Sequence, residues 1–354
     1  MKVLQVIDHL NVGGAERVLV DLTNILNENQ YNVTVLCLLK KAKLDEQLNK
    51  NINVIYLHRK NKFNPLYLIK LYIILRKYDV IHIHLRQVLR YVSLLFYTTR
   101  LNKKKVIIFQ DHFGKIDTEK TISPSIKEAM KRCTAYIGVS DQLTNWAKSN
   151  TINSNIFKLS NIVRQNKVGI NSNLSSTQIH IVSVGNFRPQ KNYEFLCQLI
   201  AQSSDEYNYT IYGQLVDLNY YHKIKDLISD LKIEDKVTII TDCDNIVSEL
   251  PKYHLGLHCA TSETGPLVAI EYLSMQIPFV AYNTGEVAMD VGKTFPSFIQ
   301  KDFNVENWNT NINTILEHRA DFVKELKSFF TKKYSEDAYL ENCISIYQKL
   351  IAKQ

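Results

Sequence analysis

Two α/β domains of similar size, each built on a doubly wound parallel sheet, are what this sequence predicts. Three observations predict them. The chain has 354 residues, long for one domain and natural for two. Short apolar strands alternate with helical stretches, the signature of βαβ units. The alternation pauses over NIVRQNKVGINSNLSSTQ (161–178), rich in Asn and Ser and poor in apolar periodicity, and then begins again.

The elements follow in order. In the first half, residues 2–8 read as a buried strand, 9–14 as a loop, and 15–29 as a helix with Val18, Leu19, Leu22, Ile25 and Leu26 on one face. Strands are expected at 33–39, 54–57, 80–84, 105–110 and 135–139. Helices are expected at 66–77, 88–99, 124–132 and 142–149. In the second half the expected strands are 179–184, 209–212, 236–240, 255–259 and 279–282. The expected helices are 192–203, 218–231, 246–250 and 266–275. Two long helical stretches, 304–330 and 336–352, close the chain. Domain one is expected over 1–165 with the last helix (336–354) returning to it, and domain two over 176–335. Ligands of such sheets bind beyond the carboxyl ends of the strands, so the expected site is the cleft between the halves.

Composition narrows the class. An apolar fraction of 45% supplies two cores. The six cysteines are widely spaced, without a CxxC pair, which argues for a reducing compartment and against a disulfide framework or zinc site. MKVLQVID reads as a first strand rather than a signal peptide, and no apolar run reaches bilayer length. The expected location is the cytoplasm. The net charge of +8 is uneven: residues 1–160 carry 25 Lys+Arg against 12 Asp+Glu, and 161–354 carry 18 against 23. A basic first half suits an anionic surface, lipid headgroups or nucleic acid. No nucleic-acid motif accompanies it, so none is expected as a partner.

The chemistry concentrates in SETGPLVAIEYLSMQIPFVAYNTGE (262–286). A strand ending near Ala260 leads through a tight loop into a helix opened by Pro266, which suits a first helical turn. That places Glu263 at the helix mouth, Glu271 about a turn and a half inside, and the amides around Thr264, Gly265, Leu267 and Val268 between them. Free amides at a helix start bind anions, and carboxylates beside them accept from sugar hydroxyls. A pair of surface glutamates is the plainer reading of that spacing. In VGNFRPQKN, Arg188 and Lys191 lie three apart ahead of a helix and make a diphosphate clamp. DHLNVGGAER holds Gly13 and Gly14, which allow close backbone approach, but lacks the G-x-G-x-x-G dinucleotide spacing. His112 ends the fifth strand, where it can donate to a substrate hydroxyl or move a proton. His82 and His84 alternate on a strand with Arg86 just beyond; spacing does not separate packing from ligand contact there. A metal site from His82, His84 and Asp111 lacks a supporting pattern. Asp242-Cys243-Asp244 reads as helix capping rather than a D-x-D metal motif.

Together these residues resemble the GT-B-fold, retaining nucleotide-sugar glycosyltransferases of family four. The resemblance covers nearly the whole chain. It rests on Gly13-Gly14-Ala15-Glu16, the His112 loop, Val139-Ser140, the Asn161 segment, Gly185-Asn186-Phe187-Arg188 with Lys191, and Glu263/Glu271 with Pro266-Leu267-Val268 and Gly285. It implies a nucleotide-diphosphate sugar as donor, a UDP-sugar in the first instance, and a glycan or lipid-linked saccharide acceptor in bacterial surface polysaccharide synthesis. It implies that Arg188 and Lys191 hold the diphosphate, Glu271 the ribose, and Glu263 with the amides of 264–268 the sugar and phosphate. His112 would contact the donor sugar, and Gly13-Gly14 would lie near diphosphate and acceptor. It implies no cofactor and no metal. The sequence departs from the family at Thr264, Gly265, Gln276 and Glu286, so the sugar stays unnamed. A GT-B-fold nucleotide-sugar epimerase and a non-catalytic binding subunit are the alternatives. The segments 63–78 and 86–105 mix aromatic, aliphatic and cationic residues, suited both to covering a sheet and to lying on anionic lipid at the inner membrane face.

Overall fold

The computed structural model describes residues 1–62, 64–114, 121–164, 178–243 and 245–353. The expected domain limits at 165 and 176, most of the Asn/Ser-rich stretch, Phe63 and Asp244 lie outside the described residues. The chain divides into two compact units, Met1–Ile162 with Glu336–Gln354, and Val163–Ser335.

The first unit is a seven-stranded parallel sheet. Its strands are β1 (Lys2–Ile7), β2 (Asn32–Cys37), β3 (Asn53–Tyr56), β4 (Val80–His84), β5 (Val106–Asp111), β6 (Ala135–Gly138) and β7 (Ile156–Lys158). Its helices are α1 (Gly14–Glu28), α2 (Pro65–Leu75), α3 (Arg86–Val92), α4 (Leu94–Thr99), α5 (Pro124–Arg132) and α6 (Asp141–Ser149). The order β3-β2-β1-β4-β5-β6-β7 reverses direction between β1 and β4. β4 and β5 are buried at every position, as strands covered on both faces must be. The expected helix over 88–99 starts earlier and is two helices, broken at Ser93, whose hydroxyl donates to the Arg90 carbonyl.

The second unit repeats the plan with six parallel strands: β8 (Ile179–Val184), β9 (Tyr207–Tyr212), β10 (Val237–Ile240), β11 (Leu255–His258), β12 (Phe279–Tyr282) and β13 (Ile299–Gln300). Their order, β10-β9-β8-β11-β12-β13, reverses between β8 and β11. The helices are α7 (Tyr193–Ala201), α8 (Leu218–Asp230), α9 (Ile246–Glu249), α10 (Leu267–Ser274), α11 (Gly285–Thr294), α12 (Val305–Glu317) and α13 (Arg319–Tyr334). Asp217 caps α8 through the Tyr220 amide and Asn304 caps α12 through the Asn307 amide, each satisfying an orphan donor. The cap of α9 is Asn245, not an aspartate, and its side chain makes no capping bond. The stretch 304–330 is two helices separated at His318. α14 (Glu336–Ile351) belongs to the first unit and buries Tyr339, Cys343, Ile344, Ile346, Tyr347 and Leu350.

Candidate functional site

In each unit the strand-order reversal marks where a doubly wound sheet opens at its carboxyl edge. In the second unit the flanking loops are those after β8 and β11, and they carry Arg188, Lys191, Glu263 and the entry to α10. The Thr261 amide donates to the Gln190 carbonyl at 2.9 Å, tying the two loops together. Gly185 leaves room for the Lys191 side chain: a Cβ there would sit 2.9 Å from Lys191 Cε. The Lys191 stem therefore lies against the backbone and its ammonium is delivered to Glu263, with Nζ donating to Oε1 at 2.5 Å.

Burial works against the Glu263 charge, but Lys191 next to it, His258 and Arg188 hold its carboxyl below the ordinary value. Glu263 is thus an anion within a positive frame, and Arg188 remains exposed at the rim. His258 ends β11 beneath this pair. Burial, with the Lys191 charge added, lowers its ring to about 4. Its Nε2 has no hydrogen-bond partner among the described residues. Nothing in the spacing singled out His258; the signal was a histidine closing an otherwise apolar strand.

The 261–266 loop is held from β12 and α11. The Glu263 amide donates to Thr284 Oγ1 at 3.1 Å, and the Glu286 amide donates to the Thr264 carbonyl at 2.8 Å. Gly285 has φ +78°, and a Cβ there would meet Pro266 Cδ at 2.9 Å and the Glu263 carbonyl oxygen at 3.3 Å. Two independent constraints, backbone sign and space, therefore require glycine. Pro266 is the residue before α10 rather than its first turn, because its ψ of 115° is extended. The Leu267 and Val268 amides then open the helix. Glu271, the fifth residue of α10, is 1% exposed. Gln276 follows α10 with φ 56°, the left-handed position where a helix favours glycine. This is the physical content of one departure from the family pattern.

In the first unit the loops after β1, β4 and β5 carry the remaining sequence-predicted residues. Gly13 precedes α1, where a Cβ would collide with the Glu16 carboxylate. The room at Gly13 is used by the chain's own Glu16, and Gly14 begins the helix. Asp111 is not free for a metal: Arg86 donates to it through Nε at 3.1 Å and Nη2 at 2.6 Å, and the Tyr136 hydroxyl donates at 3.0 Å. Among the described residues no group of three His, Cys, Asp or Glu could hold a metal ion. His82 and His84 are buried, with rings stacked at 4.5 Å, and His84 Nδ1 lies 3.1 Å from His112 Nε2. His112 itself is half-buried.

Two doubly wound parallel sheets, one bearing a cation–carboxylate pair and a helix start at its reversal, are the architecture of a GT-B glycosyltransferase. Residues 12–163 match the model for Glycosyltransferase Family 4, and residues 166–333 match that for Glycosyl transferases group 1. The chain belongs with the family-four-like glycosyltransferases of GT-B fold. The capsular polysaccharide biosynthesis glycosyltransferase CapH of Staphylococcus aureus is 23% identical over 284 residues, 77% of this chain and 78% of CapH. Anabaena HepE in complex with UDP has a TM-score of 0.77 at 15% identity, over 100% of this chain and 99% of HepE. Staphylococcus aureus TarM, in complex with fondaparinux, alpha-GlcNAc-glycerol and UDP, gives 0.76 at 13%, over 98% and 100%. The two structural likenesses are likenesses of fold.

Proposed function

We propose that this glycosyltransferase retains anomeric configuration and moves a hexosyl unit from a UDP-sugar to a glycan or lipid-linked saccharide during assembly of a bacterial surface polysaccharide such as capsule. The observation that carries the reading is the Lys191–Glu263 pair at the β8/β11 reversal, beside the start of α10. A cation, a carboxylate and helix amides together match a sugar joined to a phosphate. HepE with UDP and CapH in capsule synthesis support the donor and the pathway class.

In this reading Arg188 and Lys191 hold the diphosphate, Glu271 takes the ribose hydroxyls, and Glu263 with the amides of Thr264, Gly265, Leu267 and Val268 takes the sugar and its phosphate. His112 contacts the donor sugar, and the Gly13-Gly14 loop lies near diphosphate and acceptor. The bond from the anomeric carbon to the leaving phosphate oxygen breaks, and the acceptor oxygen bonds that carbon on the same face. The acceptor proton passes to the leaving diphosphate, whose charge Arg188, Lys191 and the α10 amides stabilise. The reading calls for no metal.

The test is a screen of nucleotide sugars for thermal stabilisation, since a ligand of the folded state raises the melting temperature. A UDP-sugar is expected to stabilise the protein and to be turned over only when an acceptor saccharide is present. An isomerised nucleotide sugar formed from donor alone would make the protein an epimerase instead.

A second surface bears on the acceptor. Leu66, Ile69 and Ile73 on α2 and Leu94 and Tyr97 on α4 are exposed. The α2 trio falls at helical spacing on one face. Residues 59–78 and 86–105 contain Lys and Arg but no Asp or Glu. Among the described residues no helix is long and apolar enough to cross a membrane. An apolar stripe among cations suits the surface of an anionic bilayer. Ile69→Glu with Ile73→Glu is expected to abolish salt-sensitive co-sedimentation with phosphatidylglycerol vesicles. Wild-type protein that ignores such vesicles would remove this element.

A further inference from the structure

His258 is a buried titratable group that takes no part in the transfer described above. It closes β11, a strand otherwise made of Leu255, Gly256 and Leu257, and is 2% exposed. β11 lies between β8 and β12 at the strand-order reversal, so its end opens onto the loops that carry Lys191 and Glu263. The ring stands in the field of both. Burial lowers it to about 4, the Lys191 charge adds to that, and the Glu263 charge opposes it. Burial raises the Glu263 carboxyl, and Lys191, then His258, then Arg188 bring it below its ordinary value.

Nε2 of His258 nevertheless has no hydrogen-bond partner among the described residues. A buried polar atom without a partner costs stability that a leucine in the same place would not cost. Lys191 and Glu263 satisfy one another, Nζ donating to Oε1 at 2.5 Å, so neither calls on the ring. An incoming diphosphate changes that. It draws the Lys191 ammonium, and Glu263, a carboxylate that only accepts, is then short of a donor. A neutral imidazole retains one N–H to supply.

We propose that His258 is a positioning residue: with a nucleotide-diphosphate sugar bound, its Nε2–H donates to the Glu263 carboxylate and holds it toward the sugar hydroxyls, while Lys191 serves the diphosphate. Because Glu263 is read as the ligand of the donor sugar, this role rests on that reading, and it separates sugar from nucleotide. UDP alone gives Glu263 no hydroxyl to meet, and the side chain, 23% exposed, is then served by water.

The test titrates UDP, and the UDP-hexose that stabilises the protein most, into wild type, His258→Leu and His258→Gln, and measures initial rates with that hexose donor. His258→Leu is expected to bind UDP within about threefold of wild type and to lose about tenfold or more in kcat/KM for the UDP-hexose. His258→Gln, whose amide brings an N–H to the Nε2 position, is expected to recover most of that loss. Nitrogen NMR of imidazole-labelled protein, with the His258 signals assigned by loss in His258→Gln, is expected to show a neutral ring protonated at Nε2 in the UDP-hexose complex. A bare Nε2 in that complex, or wild-type kcat/KM in His258→Leu, overturns the proposal. So do equal losses for UDP and the UDP-hexose in both variants, which mark a residue that only supports the fold. Wild-type protein that binds neither UDP nor a UDP-hexose overturns the underlying reading of the site instead.

Discussion

Lys191→Ala will lower sugar transfer by about 10²–10³-fold, the range for removing one preorganised group from developing transition-state charge. Two effects combine. The leaving diphosphate loses a cation, and Glu263, whose partner at 2.5 Å is Lys191, keeps a largely buried carboxylate without its ion pair. Glu271→Ala acts differently. Glu271 is buried within α10; in the proposed role of ribose ligand it would bind donor in ground state and transition state alike. Its loss is therefore expected to raise donor KM more than it lowers kcat. Initial rates against donor concentration separate the two, with melting curves showing that both variants remain folded. Full transfer by both variants would remove these residues from the site.

Acid will destabilise this protein well above the carboxylate range. His82, His84, His112 and His258 are all held neutral by burial. The unfolded chain takes up these protons near its ordinary histidine value, about 6.5, and the folded chain does not. Stability contributed by the neutral rings is present above about 6.5 and falls as the pH drops toward each folded value. His258, held at about 4, and His82, held at about 3, each account for on the order of 3 kcal/mol by the time the pH reaches about 4. Glu263 adds to the loss at the lower end, because its lowered carboxyl stabilises the fold only while ionised. Asp8 and Glu16 oppose it there, since burial raises their carboxyls. The window from about 6.5 to about 5 therefore belongs to the histidines. Melting temperature is expected to fall steadily across that window, and His258→Leu is expected to flatten the slope for the second unit. A melting temperature constant from pH 7 to 5 would contradict the burial argument.

The architecture was legible because each half repeats short apolar strands separated by amphipathic helices, and a strand covered on both faces leaves an unbroken apolar run. β7, β13 and α11 were not. β7 and β13 have three and two residues, too few to show a period, and α11 begins at a left-handed glycine that reads as a turn. The candidate site was legible where its residues are neighbours in sequence, as with Glu263 and the α10 start, or Arg188 and Lys191. It was hidden where partners are distant. Lys191 and Glu263 are 72 residues apart, and only the fold joins them. Arg86 and Asp111 show the reverse case: their spacing left ligand contact open, and the structure pairs them with each other.

The central claim is that the β8/β11 reversal in the second unit holds a uridine diphosphate group through Arg188, Lys191 and Glu271. Calorimetric titration of UDP into wild-type protein, Lys191→Ala and Glu271→Ala tests it most directly. The expected result is saturable one-site binding by the wild type and its loss, or a weakening of about tenfold or more, in both variants. No UDP binding by the wild type, or equal binding by all three proteins, would contradict it.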